Sequence, residues 1–150
     1  MTRVCLVGTD DYDLGFELLS RETAREALST YDVDAPFENT VAVETVSVGA
    51  AVALLNDLNW YLVRFARTAL VREPSISDDE WLSRPLAERV RAGEVDLDDD
   101  WGPLKVYGVE DGRLVDPLFV RRTADGRPEY DIRDVDETVV VRVTEEEYST

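Results

Sequence analysis

The sequence predicts an α/β (or α+β) fold: an N-terminal β-α-β-α unit with a long central helix, followed by an antiparallel β-meander. Three observations carry this reading. Strand-like runs at Arg3–Gly8 and Thr40–Val46 alternate with stretches of helical period. From Ser47 to Glu73 the longest apolar-rich run of the chain keeps one helical phase. Beyond Gly102 the period of the apolar positions changes from that of a helix to that of a strand, around the turn dipeptide Asp111-Gly112.

Taken in order, Arg3–Gly8 (RVCLVG) reads as a buried first strand, with Cys5 inside it as a small hydrophobe. The acidic loop Thr9–Asp13 follows. Leu14–Thr30 reads as one helix, since Leu18, Leu19, Ala24, Ala27 and Leu28 fall at helical spacing. Asp32–Asn39, which holds Pro36, is a loop, and Thr40–Val46 (TVAVETV) alternates as a second strand. Ser47 is the expected N-cap of the long helix. On a helical wheel Leu54, Leu55, Leu58, Leu62, Phe65 and Leu70 share one half, and Asn56, Asp57, Arg64, Arg67 and Arg72 the other. One continuous helix of about 39 Å, at about 1.5 Å per residue, is expected to end at Pro74.

Ser77-Asp78-Asp79-Glu80 has the capping-box pattern in front of Trp81-Leu82. Pro85 interrupts that helix, so a restart is expected with Ser83 as a fresh cap, running to Arg91 and stopping at Gly93. The acidic connector Glu94–Asp100 is the best boundary, and would divide a single domain of residues 1–150 into an α/β part (1–95) and a meander (102–150). In the meander, Leu104–Glu110 and Arg113–Val120 flank Asp111-Gly112, Asp125-Gly126 marks a second turn before Glu129–Arg133, and Thr138–Thr144 (TVVVRVT) is the most strand-like segment. The tail EEEYST is expected to fray. The pattern leaves two points open: whether residues 58–66 are helix or strand, and whether the meander joins the N-terminal sheet.

Composition bounds the habitat and the chemistry. The chain has 33 acidic and 16 basic residues, no His and a net charge of -17, and Lys105 is its only lysine. In ordinary salt that charge destabilises the compact state by self-repulsion. In molar salt the Debye length falls to about 3 Å and the repulsion is largely screened. Acid spread evenly with lysine almost absent is expected of a halophilic cytoplasm. An acidic mimic of nucleic acid would need clustered acids, and these are dispersed. Apolar content of 44% and three Trp exclude wholesale disorder. MTRVCLVG is too short for a signal segment, and Asn56, Asp57, Asn59, Arg64 and Arg67 interrupt the 47–73 run. The expectation is a cytoplasmic protein with no membrane span.

Without His, a Ser-His-Asp triad, a Cys-His pair or a His-ligated metal site cannot be built. No G-x-S-x-G elbow or glycine-rich phosphate loop occurs. Asp10, Asp11 and Asp13, directly after the first strand, are the candidate metal ligands; carboxylates there can converge on Mg²⁺, the only cofactor the sequence suggests. The alternative is a hydrated acidic loop. Asp96, Asp98 and Asp100 open like a calcium loop, but Trp101 stands where Gly is required and Tyr107 where Glu is, so the match fails. Trp60, Arg64 and Arg67 fall within about 60° of each other on the polar side of the long helix. Arginine interleaved with an aromatic ring suits a partner hot spot or a nucleic-acid contact. The alternative is that Trp60 packs beneath the C-terminal hairpins while the arginines pair with acids. Lys105 as a reactive lysine competes with a strand residue facing solvent.

Two resemblances follow from longer stretches. Residues 3–65 resemble the first half of a response-regulator receiver domain: RVCLVGTDD stands at the first strand and its acidic pair, VETVSVGAAVALLND at the second strand and helix, and WYLVRF at the third strand. At that strand's end the chain reads Arg64-Phe65-Ala66-Arg67, with no phosphoacceptor Asp, so the resemblance implies no phosphoryl chemistry. Over its whole length, through NDLNWYLVRFAR, SDDEWLSR and DVDETVVVRV, the sequence resembles an uncharacterised family of haloarchaeal proteins. The expected function is a non-catalytic binding or regulatory module acting through an unidentified protein partner. The alternatives are a nucleic-acid-associated protein using the Arg/aromatic face, with Arg121-Arg122 as the other basic element, and a divalent-metal enzyme using the Asp10 loop.

Overall fold

The computed structural model describes residues 1–97, 101–122 and 137–149. The chain runs through β1 (Thr2–Gly8), α1 (Leu14–Leu19), α2 (Glu22–Leu28), β2 (Thr40–Thr45), α3 (Val48–Asp57) and α4 (Asn59–Phe65). It continues with β3 (Ala66–Arg72), β4 (Trp81–Ser83), α5 (Arg84–Arg91), β5 (Pro103–Glu110), β6 (Arg113–Leu114), β7 (Leu118–Arg121), β8 (Glu137–Arg142) and α6 (Glu145–Ser149). The mixed α/β character expected from the sequence is present.

All eight strands form one sheet in the order β2-β1-β3-β4-β8-β5-β6, with β7 also on β5. Every pairing is antiparallel except β4 with β8. That parallel pair joins the meander to the N-terminal strands, so one sheet runs through both parts of the chain. Strand alternation sends Val4, Leu6, Val41, Val43, Val71 and Leu82 to one face, where they pack with Leu14, Leu18, Leu55, Leu58, Leu62 and Leu86 of the helices. Cys5, Val7, Leu70, Trp81, Tyr107, Leu114 and Val141 share the second face.

That second face packs upon itself. Strands β1 and β6 stand far apart in the strand order, yet Val7 and Leu114 belong to one buried cluster. The Glu38 N–H donates to the Gly112 carbonyl at 2.8 Å, and Arg113 pairs with Asp10 at 2.5 Å. The sheet is therefore curled, its two ends drawn together around an apolar interior. Asp111 (φ 52°) and Gly112 (φ 76°) form the turn between β5 and β6; two positive φ values are what a two-residue type I′ hairpin requires.

The main correction is the central helix. It bends at Leu58, which closes α3 and opens α4 at φ -92°, ψ 0°, and it ends at Phe65; from Ala66 the chain is extended. The physical reason is burial on two faces: Val71 packs under the helices and Leu70 into the sheet interior, and both are fully buried. Only a strand presents adjacent residues to opposite layers, and β3 pairs with β1 along its length. The receiver-like register fails at the same place, since WYLVRF lies in α4 and the third strand begins after it.

Three smaller differences from the sequence expectation accompany it. The helix expected over Leu14–Thr30 is two, α1 and α2, broken at Ser20-Arg21. Trp81-Leu82-Ser83 is strand β4, all three buried; the Ser77 hydroxyl accepts the Glu80 N–H at 3.0 Å, closing a turn in place of a helix start. Ser83 does cap α5, accepting from the Leu86 N–H at 3.3 Å with Pro85 in the first turn. Glu145–Ser149 of the tail form α6, opened by a reciprocal capping box: Thr144 N–H donates to Glu147 Oε2 at 2.7 Å, and Glu147 N–H to Thr144 Oγ1 at 3.1 Å. The expected Asp125-Gly126 turn, the Glu129–Arg133 strand and the end of the 94–100 connector lie outside the described residues. Among the described residues no helix is long and apolar enough to cross a membrane.

Candidate functional site

Helix α4 turns Leu62 and Phe65 inward and leaves Trp60 and Val63 outside, 51% and 67% exposed. Trp60 is held, not loose. The Arg64 guanidinium lies 3.7 Å from the centroid of its indole and donates through Nη1 to the Trp60 carbonyl at 2.7 Å. Arg21, at the start of α2, approaches the Trp60 ring at 5.9 Å and the Phe65 ring at 5.0 Å, and Tyr12 meets Phe65 edge-on at 4.9 Å. Arg21 is itself paired with Glu17 at 2.9 Å, whereas Arg64 has no ion pair among the described residues. The result is a pre-ordered aromatic-cation face on α4.

Trp60 and Arg64 are thus together, one helical turn apart, and Arg67 is not with them. It lies on β3, where one extra residue is accommodated against β1: Val7 pairs with Thr68 and Gly8 with Ala66. Arg67 sits 5.7 Å over the Tyr107 ring and pairs with Asp116 at 3.3 Å. Arg72, expected on the polar half of the helical wheel, stacks 4.7 Å from the Trp81 ring, and Lys105 lies 5.1 Å from Tyr107.

The three aspartates of the first loop have separate surroundings. Asp10 faces Arg113, Asp13 caps α1 by accepting the Phe16 N–H at 3.1 Å, and Asp11 is exposed. Among the described residues no group of three or more His, Cys, Asp or Glu is placed to hold a metal ion. The loop is organised by Asn39, which sequence reasoning passed over. Its carboxamide donates to the Thr9 carbonyl (2.8 Å) and the Tyr12 carbonyl (2.9 Å) and accepts from the Leu14 N–H (2.8 Å). The available signal was an Asn just before a strand, the residue that after glycine most readily takes the positive φ (57°) found there. Around this loop a cleft of about 670 Å³ is lined by Asp10, Asp11, Tyr12, Asp13, Glu38 and Arg113.

A second group missed in the sequence is buried. Glu80 Oε1 accepts from Arg142 Nε at 2.8 Å and from Arg122 Nη2 at 2.6 Å, and Arg122 Nε also donates to the Trp101 carbonyl at 2.8 Å. Burial pushes the Glu80 carboxyl upward, but the two guanidiniums outweigh it and hold the group below its ordinary range. Arg122, expected on a basic face, is engaged here instead. The arrangement ties the start of β4 to β8 and to the end of β7, and it is structural in character.

Fold and site together define a mixed α/β protein with a curled, mostly antiparallel sheet and an exposed Trp60-Arg64 face. The chain belongs to the family of unknown function DUF5804, whose model matches residues 2–109, from β1 through Val109 of β5. No curated protein matches the chain, and no solved structure does.

Proposed function

We propose that the protein is a non-catalytic binding or regulatory module of a halophilic cytoplasm, acting through protein-protein contact at the α4 face. The observation that carries this is the half-exposed Trp60 ring, clamped by Arg64 at 3.7 Å beside exposed Val63. Trp and Arg are the residues most enriched in binding hot spots, and a ring fixed before contact loses little rotamer freedom on binding. Arg64, with no ion pair among the described residues, also gives this face a cationic character against a net charge of -17, which suits an acidic partner surface. The even spread of acids and the single lysine support the halophilic part of the reading.

The test is co-purification from cell extract in molar KCl. Trp60→Ala and Arg64→Ala are expected to stay folded and to lose the same partner band; a partner set unchanged by both variants overturns the reading. A band that disappears on nuclease treatment assigns the face to nucleic acid instead.

A further inference from the structure

Strand β3 is partnered along its whole length on one edge and along only part of the other. Against β1 it pairs from Arg72 to Ala66, but against β4 only Leu70↔Ser83 and Val71↔Leu82 are paired. The sequence explains the shortfall. Continuing that antiparallel register would set Ala69 opposite Arg84 and Thr68 opposite Pro85. Ser83 instead caps α5 and Pro85 lies in its first turn, so the chain leaves the sheet where proline has no N–H to offer. Among the described residues, Arg67-Thr68-Ala69 has no strand on this side, although β3 is an inner strand of the sheet.

Beside this bare edge runs a groove of about 260 Å³ whose walls include Leu62, Val63, Ala66, Arg84, Pro85 and Glu147. An uncovered strand edge is a template for another extended chain. The charge of the groove says what kind of chain fits. Arg67 and Arg84 border it, and among the described residues each has an exposed carboxylate as its ion-pair partner, Asp116 at 3.3 Å and Glu88 at 3.5 Å. Such surface pairs contribute little to stability and exchange easily. Arg67 also lies 5.7 Å from the Tyr107 ring centroid, and Arg84 Nη2 donates to the Leu55 carbonyl at 3.4 Å and to Asn56 Oδ1 at 3.3 Å. Glu147, the only acid among these lining residues, is already engaged: its Oε2 accepts from the Ser83 hydroxyl at 2.7 Å and the Thr144 N–H at 2.7 Å. In a chain of net charge -17 the groove therefore offers cations to a ligand.

We propose that this groove binds an extended segment of a partner protein, apolar at its centre and acidic at its flanks, as a strand added to β3. Backbone groups of the ligand pair with Arg67–Ala69. One row of its alternating side chains meets Leu62, Val63 and Pro85, and flanking carboxylates take over Arg67 and Arg84. This mode uses main-chain hydrogen bonds, not ring stacking on Trp60, and it stands or falls separately from the α4 face.

The experiment selects binders to the full chain, in molar KCl, from a random phage-displayed peptide library. Selected sequences are synthesised with each backbone amide methylated in turn. The expected peptides carry a β-branched core flanked by Asp or Glu and slow amide exchange at Arg67–Ala69. Methylation at alternate positions should weaken binding by about tenfold or more, and at the intervening positions by less than about threefold, because only alternate N–H groups face the edge. The double variant Arg67→Glu/Arg84→Glu should also weaken binding by about tenfold, and Trp60→Ala should leave it within about threefold. If the charge reversal unfolds the chain, the methyl scan on the unaltered protein decides. Failure to select any peptide, protection elsewhere, or indifference to methylation overturns the proposal. So does a concentration-dependent dimer that itself protects Arg67–Ala69, which would give the groove to a second copy of the chain.

Discussion

Asn39→Ala tests whether one side chain holds the first loop in place. Asn39 makes three side-chain hydrogen bonds across the loop, to Thr9, Tyr12 and Leu14, from a backbone at φ 57°. At about 1 kcal/mol net for each hydrogen bond, the lost carboxamide costs about 3 kcal/mol, less what water restores at the exposed Tyr12 carbonyl. Forcing alanine into the left-handed region adds about 1 kcal/mol. The expected loss is about 3–4 kcal/mol for Asn39→Ala, and about 1 kcal/mol less for Asn39→Gly, which accepts that φ without strain. Gly8 supplies a second arm. A Cβ built there would lie 2.5 Å from Asn39 Nδ2, so Gly8→Ala must displace the carboxamide. Its cost should therefore fall by about 1 kcal/mol or more when Asn39 is already alanine, as coupled neighbours do. Urea denaturation in molar KCl measures the four variants, the Gly8→Ala/Asn39→Ala double among them, against the parent. Ala and Gly variants both within about 0.5 kcal/mol of the parent, or glycine worse than alanine, would refute the reasoning.

Three further outcomes are expected. Burial pushes the Cys5 thiol up to about 12, so a thiol reagent should label it only through unfolding, and labelling of the native protein at a rate near that of the urea-unfolded chain would contradict its place in the interior. The sign for Cys5 is that its stability contribution is present below the unfolded thiol value, about 8.5, and is lost as pH rises above it. Glu80 has the opposite sign: its folded carboxyl is depressed, so its contribution is present above about 4.3 and is lost as pH falls through the folded value. Glu80→Gln should then lower stability at pH 7 by about 3 kcal/mol and flatten the acid limb of the stability curve, and an unchanged acid limb would refute the pairing. Finally, circular-dichroism melts should show structure lost as KCl falls from molar to about 0.1 M, and equal or greater stability at low salt would overturn the halophilic reading.

Much of the fold was legible because its signals are local. β1, β2, the Asp111-Gly112 hairpin, the Ser83 cap and β8 each depend on alternation, a turn dipeptide or one capping residue within a few positions. Thr144-x-x-Glu147 is equally local, a hydroxyl and a carboxylate at capping-box spacing. The central run failed for a different reason. Between Ala66 and Arg72 the apolar residues Ala69, Leu70 and Val71 are consecutive, and three adjacent hydrophobes satisfy a helical stripe and a doubly buried strand equally well. What decides between them is β1, whose edge opposite β2 needs a partner, and that demand comes from residues 58 to 69 positions away. The same fact sorts the candidate site. Trp60 and Arg64 depend only on one turn of helix, and that turn exists. Arg67 depends on the helical phase surviving past Phe65; it does not, and the extra residue in β3 carries this arginine to Tyr107 and Asp116. The change from helix to strand at Ala66 therefore separates two surfaces that a helical wheel merges. Trp60 and Arg64 present a stacked face on α4, while Arg67, next to the bare edge of β3, borders a groove whose recognition would run through the backbone.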